Sequence, residues 1–159
     1  MDKKYLEQIK RTERWYERFE KIYLDTKKRY DNLYYEDVIY AFFQNCYHLK
    51  DWLKNSNVIE EKRLNNFIDT NEDMKICRDL CNASKHLVLK SGKDLKLMKL
   101  DLPLKTMKGY SHNSNYYCIK EVGGGVHSAF DVAVRCLVSW RNFLKTEKIK
   151  KSFFQEEIS

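Results

Sequence analysis

Met74 to Leu89 reads MKICRDLCNASKHLVL, and the spacing within it decides how the chain is read. At about 100° per residue, Arg78, Asn82, Lys85 and His86 fall within an arc of about 100° on one side of a helix. Ile76, Leu80, Ala83 and Leu87 fall on the opposite side, so the segment is predicted to be an amphipathic helix. The nitrogen-bearing stripe then has two readings. It can grip a phosphate, or it is the wetted face of a helix packed by its other side. Met74, Cys81 and Leu89 lie beside or among the stripe. Such an apolar edging suits a subunit interface, where a symmetric dimer would bring two stripes together about a two-fold axis.

The rest of the chain bounds what that helix can belong to. A chain of 159 residues suits one domain, 1–159, burying roughly two thirds of its unfolded surface. With 43 % hydrophobic residues, 14 % aromatics and one proline, a disordered chain is excluded and a turn-rich all-β fold disfavoured. The expected class is mainly α: a helical bundle of about five helices with an inserted two-stranded β-hairpin before the last helix. Residues 1–92 would supply four helices, 93–125 the hairpin and connector, 126–151 the last helix and 152–159 a tail. A balance of 30 Lys and Arg against 23 Asp and Glu gives +7, with a pI near 9.1, a field that favours RNA or another polyanion.

No apolar run approaches the roughly 20 residues of a membrane span, and MDKKYLEQIKRTERW is too charged for a signal peptide. A soluble, cytoplasmic protein with no membrane partner is expected. The five cysteines, 46, 77, 81, 118 and 136, form no CxxC pair and read as reduced, mostly buried thiols. Cys77 and Cys81, one turn apart, could join Cys46 or His48 around zinc. The close spacing of structural zinc sites is missing, and no metal or cofactor is expected.

Taken in order, Lys3 to about Asp31 carries Leu6, Ile9, Tyr16, Phe19, Tyr23 and Tyr30 mostly at threes and fours, the pattern of a long helix. Its other face, Lys10, Arg11, Arg14, Arg18, Lys21, Lys27, Lys28 and Arg29, reads as solvated. Tyr34 to Leu53 follows as a core helix with Val38, Ile39, Phe42, Cys46, Leu49 and Leu53 on one stripe. His48 and Asp51 lie on or near its reverse with Gln44, Tyr40 and Tyr47 and read first as a solvated pair; their best functional use is to face the 74–89 helix. Asn57 with Glu60 opens a short helix to about Ile68, Thr70 with Asp73 opens the next, and Ser91-Gly92 ends it.

Alternation then marks strands at Leu95–Leu104 and Tyr116–Val122, joined loosely through Lys105 to Asn115. The VGGGVHS stretch at 122–128 lacks the lysine of a P-loop and the GxGxxG spacing, and reads as a strand-to-helix connector. A last helix from Ala129 to about Lys148 would bury Phe130, Ala133, Val134, Leu137, Trp140 and Leu144. Lys145, Lys148, Lys150 and Lys151 suit its C-terminal dipole without any ligand.

There is no HExxH, no GxSxG, no P-loop and no carboxylate set spaced for magnesium. What remains is metal-free acid and base chemistry. Attack by the 2′-hydroxyl of RNA on its own phosphate needs a group to move the proton and cations to stabilise the phosphorane, which a His beside an Arg and a Lys can supply.

A small helical domain carrying Arg78, Asn82 and His86 near the end of one core helix resembles the HEPN superfamily of prokaryotic helical domains. The likeness covers mainly Tyr34 to Leu89. The family's signature is an Arg, four to six residues and a His, whereas seven residues separate Arg78 from His86. The resemblance implies a metal-independent ribonuclease of a toxin–antitoxin or phage-defence system, completed across a homodimer and partnered by an antitoxin or effector protein. It assigns His86 the histidine's role, Arg78 or Lys85 the phosphate, and Asn82 the task of orienting it. The alternative is a non-catalytic helical module that binds a protein or a nucleotide.

Overall fold

Where the apolar period is that of a helix, helices form, and where it alternates, strands do. In chain order the elements are α1 (Lys4–Leu24), α2 (Asn32–Asn55), α3 (Glu61–Thr70), α4 (Glu72–Ala83), β1 (Leu95–Leu100), β2 (Leu104–Lys105), β3 (Ser111–His112), β4 (Tyr116–Glu121), β5 (Val126–Ser128) and α5 (Ala129–Thr146). The computed structural model describes residues 4–25, 30–84, 95–100, 104–105, 111–112 and 116–149. Lys27 to Arg29, Lys85 to Gly92, most of the 105–115 linker, Lys150, Lys151 and the 152–159 tail lie outside the described residues. No helix is long and apolar enough to cross a membrane.

The mainly helical class is as expected, but the β insertion is larger than a hairpin. β4 is the centre of a three-stranded antiparallel sheet in the order β1-β4-β5. Leu97 pairs with Ile119 on one side, and Ile119 with His127 on the other. The triple glycine is therefore a hairpin turn rather than a plain connector. Gly124 N–H donates to the Glu121 carbonyl at 3.2 Å, and Gly123 holds φ +74°, the left-handed conformation that the third residue of a type II turn requires. Three residues of β5 are too few to show a period, which is why sequence reading absorbs them into the helix start. Ser128 ends β5 and caps α5, its hydroxyl accepting from Asp131 N–H at 3.3 Å.

Other boundaries shift for reasons of capping. Asp31 caps α2 by accepting from Tyr34 N–H at 2.8 Å, and α1 ends at Leu24 rather than near Asp31. Asn57 does not open α3. It sits at φ 52°, with its own N–H on Lys54 O and Val58 N–H on Leu53 O, which is a Schellman closure of α2. Likewise Asn71, not Thr70, caps α4, taking Met74 N–H at 3.0 Å, while the Thr70 hydroxyl turns back to Asn66 O.

The core lies where α2, α4 and α5 meet, with α1 laid along α2. Phe42, Phe43, Cys46, Leu49, Leu53, Leu80, Cys136 and Trp140 are fully buried. Phe130 of α5 stacks on Tyr23 of α1 at 4.1 Å and meets Phe19 edge-on at 5.4 Å, and Phe19 packs in turn on Phe42 and Phe43. Polar stitching supplements this packing. Gln8 and Thr12 of α1, both buried, donate to the Asn45 carbonyl of α2 at 2.9 and 3.2 Å. At the centre, Trp140 donates its indole N–H to the Cys46 carbonyl at 3.1 Å, tying α5 to α2. Trp140→Phe removes that bond and part of the ring, so unfolding free energy from urea titration should fall by about 1–3 kcal/mol; a change below about 0.5 kcal/mol would show that the bond adds nothing.

Candidate functional site at the seam of α2 and α4

The 12-residue α4 is shorter than the 74–89 span expected of it; Ser84 is its C-cap. It is also buried on more sides than an amphipathic helix would be. Ile76 and Leu80 are buried as predicted, but so are Met74, Cys77 and Cys81 on the flank of the expected polar stripe. The cause is that α4 packs against α2, α3, α5 and β1 together. Arg78 and Asn82, one turn apart, remain half-buried in the window left between these neighbours. Lys85 and His86 lie outside the described residues.

Across that window α2 presents Gln44, Tyr47, His48 and Asp51, positions that share its reverse face. His48 does face α4: its Nε2 lies 3.8 Å from the Cys81 Sγ. Gln44 donates to the Ser84 hydroxyl at 3.1 Å, and that hydroxyl donates to the Cys81 carbonyl at 2.7 Å. Burial raises the Tyr47 pKa and the nearby Asp51 charge adds to the rise, while the Arg78 guanidinium opposes it. Tyr47 thus senses both Asp51 and Arg78. Asp51 itself is exposed at the rim.

Arg78 is held by two carboxylates. Its Nε donates to Asp79 Oδ1 at 2.9 Å and a terminal nitrogen donates to Asp69 Oδ1 at 2.8 Å. Burial disfavours the charged guanidinium, but the Asp79 hydrogen bond and the two acidic charges outweigh it and raise its pKa. Asp79 is 5 % exposed, whereas the Asp69 side chain is 63 % exposed. A phosphate reaching Arg78 would therefore displace Asp69 and leave Asp79 in place. Sequence reading missed both acids, because Asp69 belongs to α3 and Asp79 points to the buried side of α4.

The cysteines also pair differently from the spacing. Cys77 and Cys81 do not share a site: Cys81 meets His48, and Cys77 turns inward to Cys46 and Cys136, the three Sγ atoms lying within 4.8 Å of one another. Burial disfavours all three thiolates, but at Cys46 the neighbouring Cys136, Cys77 and Trp140 side chains outweigh it and bring the pKa below its ordinary range. Cys77 and Cys136 stay well above theirs. Elsewhere, a groove of about 470 Å³ between α3 and α5 is floored by Phe67 and Phe143, stacked at 4.3 Å, and rimmed by Lys62 and Arg63. Arg63 is paired there with Glu147 at 2.6 Å.

No protein-family model matches the chain, and comparisons with curated proteins and with solved structures found no match. Arg78→Met should destabilise the fold by about 1–3 kcal/mol, because buried Asp79 loses the guanidinium. Asp69→Asn should cost under about 1 kcal/mol, its partner being an exposed carboxylate. Equal losses in thermal and chemical denaturation would show that the clamp is not graded by burial.

Proposed function

We propose that this chain is a HEPN-like effector that binds RNA at the α2–α4 seam and cleaves it without a metal. The supporting observation is the meeting of His48 with Cys81 across the seam, one turn on from Arg78 and just before Asn82. Two helices thus bring imidazole, guanidinium, amide and phenol groups to one window, and Lys85 and His86 follow directly in sequence.

In this reading the RNA backbone approaches the rim occupied by Asp69. A phosphate exchanges with that exposed carboxylate on Arg78, which the Asp79 contact keeps charged and oriented. His86 takes the proton of the attacking 2′-hydroxyl, and Lys85 with Arg78 offsets the charge that builds on the phosphorane. Asn82 orients the phosphate, and His48 and Asp51 act as positioning residues on the facing helix. A second copy of the chain, applied to the same window about a two-fold axis, would double these groups and exclude water. The net charge of +7 supplies the long-range attraction for RNA.

A second reading, a non-catalytic module for a nucleotide, draws on the α3–α5 groove, whose aromatic floor and Lys62 rim suit a base and a phosphate. Incubating the purified protein with RNA in EDTA separates the two. Cleavage should persist in EDTA and fall by about 10²- to 10⁴-fold in His86→Ala, with helical circular dichroism unchanged. Intact RNA at micromolar protein, or cleavage indifferent to His86, overturns the enzyme reading.

A further inference from the structure

Cys46, Cys77 and Cys136 stand on three different helices, α2, α4 and α5, and all three are 0 % exposed. Their sulfurs lie within 4.8 Å of one another. Three sulfurs bound to one metal at about 2.3 Å would stand about 3.8–4.0 Å apart, so adjustments of about 1 Å or less would bring these into a shared coordination sphere. Each side chain is already aimed by its surroundings. The Cys77 thiol donates to Phe43 O and the Cys136 thiol to Asp73 O, each at 3.4 Å. The backbone of Cys46 is pinned by the Trp140 indole.

The geometry points to a three-sulfur site for a soft, thiophilic cation at the junction of α2, α4 and α5, and the number of ligands selects cuprous copper. Among the described residues no fourth histidine, cysteine or carboxylate joins the group. Structural zinc takes four such ligands, whereas a soft monovalent d¹⁰ ion is satisfied by three sulfurs. The one further cysteine on α4, Cys81, turns to His48 instead. Ligation involves no electron transfer. The copper enters and stays cuprous, each sulfur bonds through a lone pair, and protons displaced from the thiols pass to solvent. Because the site is closed, loading is coupled to folding or to opening of the bundle, and the bound ion cross-links three helices.

The test is to titrate the reduced full-length chain anaerobically with Cu(I) against a chromogenic Cu(I) chelator. One equivalent should be retained per chain, with thiolate-to-copper absorption in the near ultraviolet and a raised thermal midpoint. The Cys81→Ser/Cys118→Ser double variant keeps the trio and should retain that equivalent. Cys46→Ala, Cys77→Ala and Cys136→Ala should each lose affinity by more than the about 10- to 100-fold that removal of an outer-shell partner costs. Failure of the wild type or the double variant to hold copper overturns the site, and the double variant decides the matter even if the single alanine variants do not fold. Retention of zinc but not Cu(I) overturns the three-coordinate assignment.

Discussion

The enclosure of α4 is the constraint from which the rest of the architecture follows. A helix of 12 residues is too short to persist alone in water, so its stability comes from what covers it. Here α2, α3, α5 and β1 all pack against it. That coverage buries Met74, Ile76, Cys77, Leu80 and Cys81 and leaves Arg78 and Asn82 half-buried. Each buried Met, Ile or Leu side chain of this kind contributes about 1.5–3 kcal/mol of transfer free energy. The half-buried polar groups are thereby held at fixed positions on a rigid element.

The other helices are arranged to make that enclosure stable. α5 is bound to α2 through Trp140 and the Cys46 carbonyl, to α4 through Asn71 and Ser139 at 2.9 Å and through Arg135 and Asp73 at 2.8 Å, and to α1 through the rings around Phe130. The three-stranded sheet packs on the helices through Leu95, Tyr117 and Ile119, which share one face and join the core. A cation inserted in such a setting needs acids of its own. Arg78 has them in Asp69 and Asp79, one exposed, the other buried. The asymmetry grades the two contacts by burial, Asp79 holding Arg78 from the core side and Asp69 from the surface.

Much of the fold was legible because helical periodicity and capping chemistry are local. The stripe Val38, Ile39, Phe42, Cys46, Leu49, Leu53 marked α2, and all of these residues are buried. His48, which helix position alone reads as a solvated side chain, instead meets Cys81 of α4. Less legible were features whose cause lies far away in the chain. Gln8 and Thr12 are polar residues on a buried face, and the partner they share, the Asn45 carbonyl, lies 37 and 33 residues further on. Asn57 looked like a helix start because asparagine serves both as an N-cap and as a left-handed residue after a helix, and the choice depends on which side needs closing.

The sequence by itself therefore determined the mainly helical class and the dominant apolar faces, since each depends on residues within a turn or two of one another. Only the tertiary structure decided that α4 would be enclosed, that Asp69 and Asp79 would clamp Arg78, that β5 would complete a sheet, and which cysteines would meet. Cys77 and Cys81 are neighbours along the helix, yet their side chains diverge by about 40° and reach different elements. Cys46, Cys77 and Cys136 are far apart in the chain and converge because three helices share one core, a fact that no local spacing encodes.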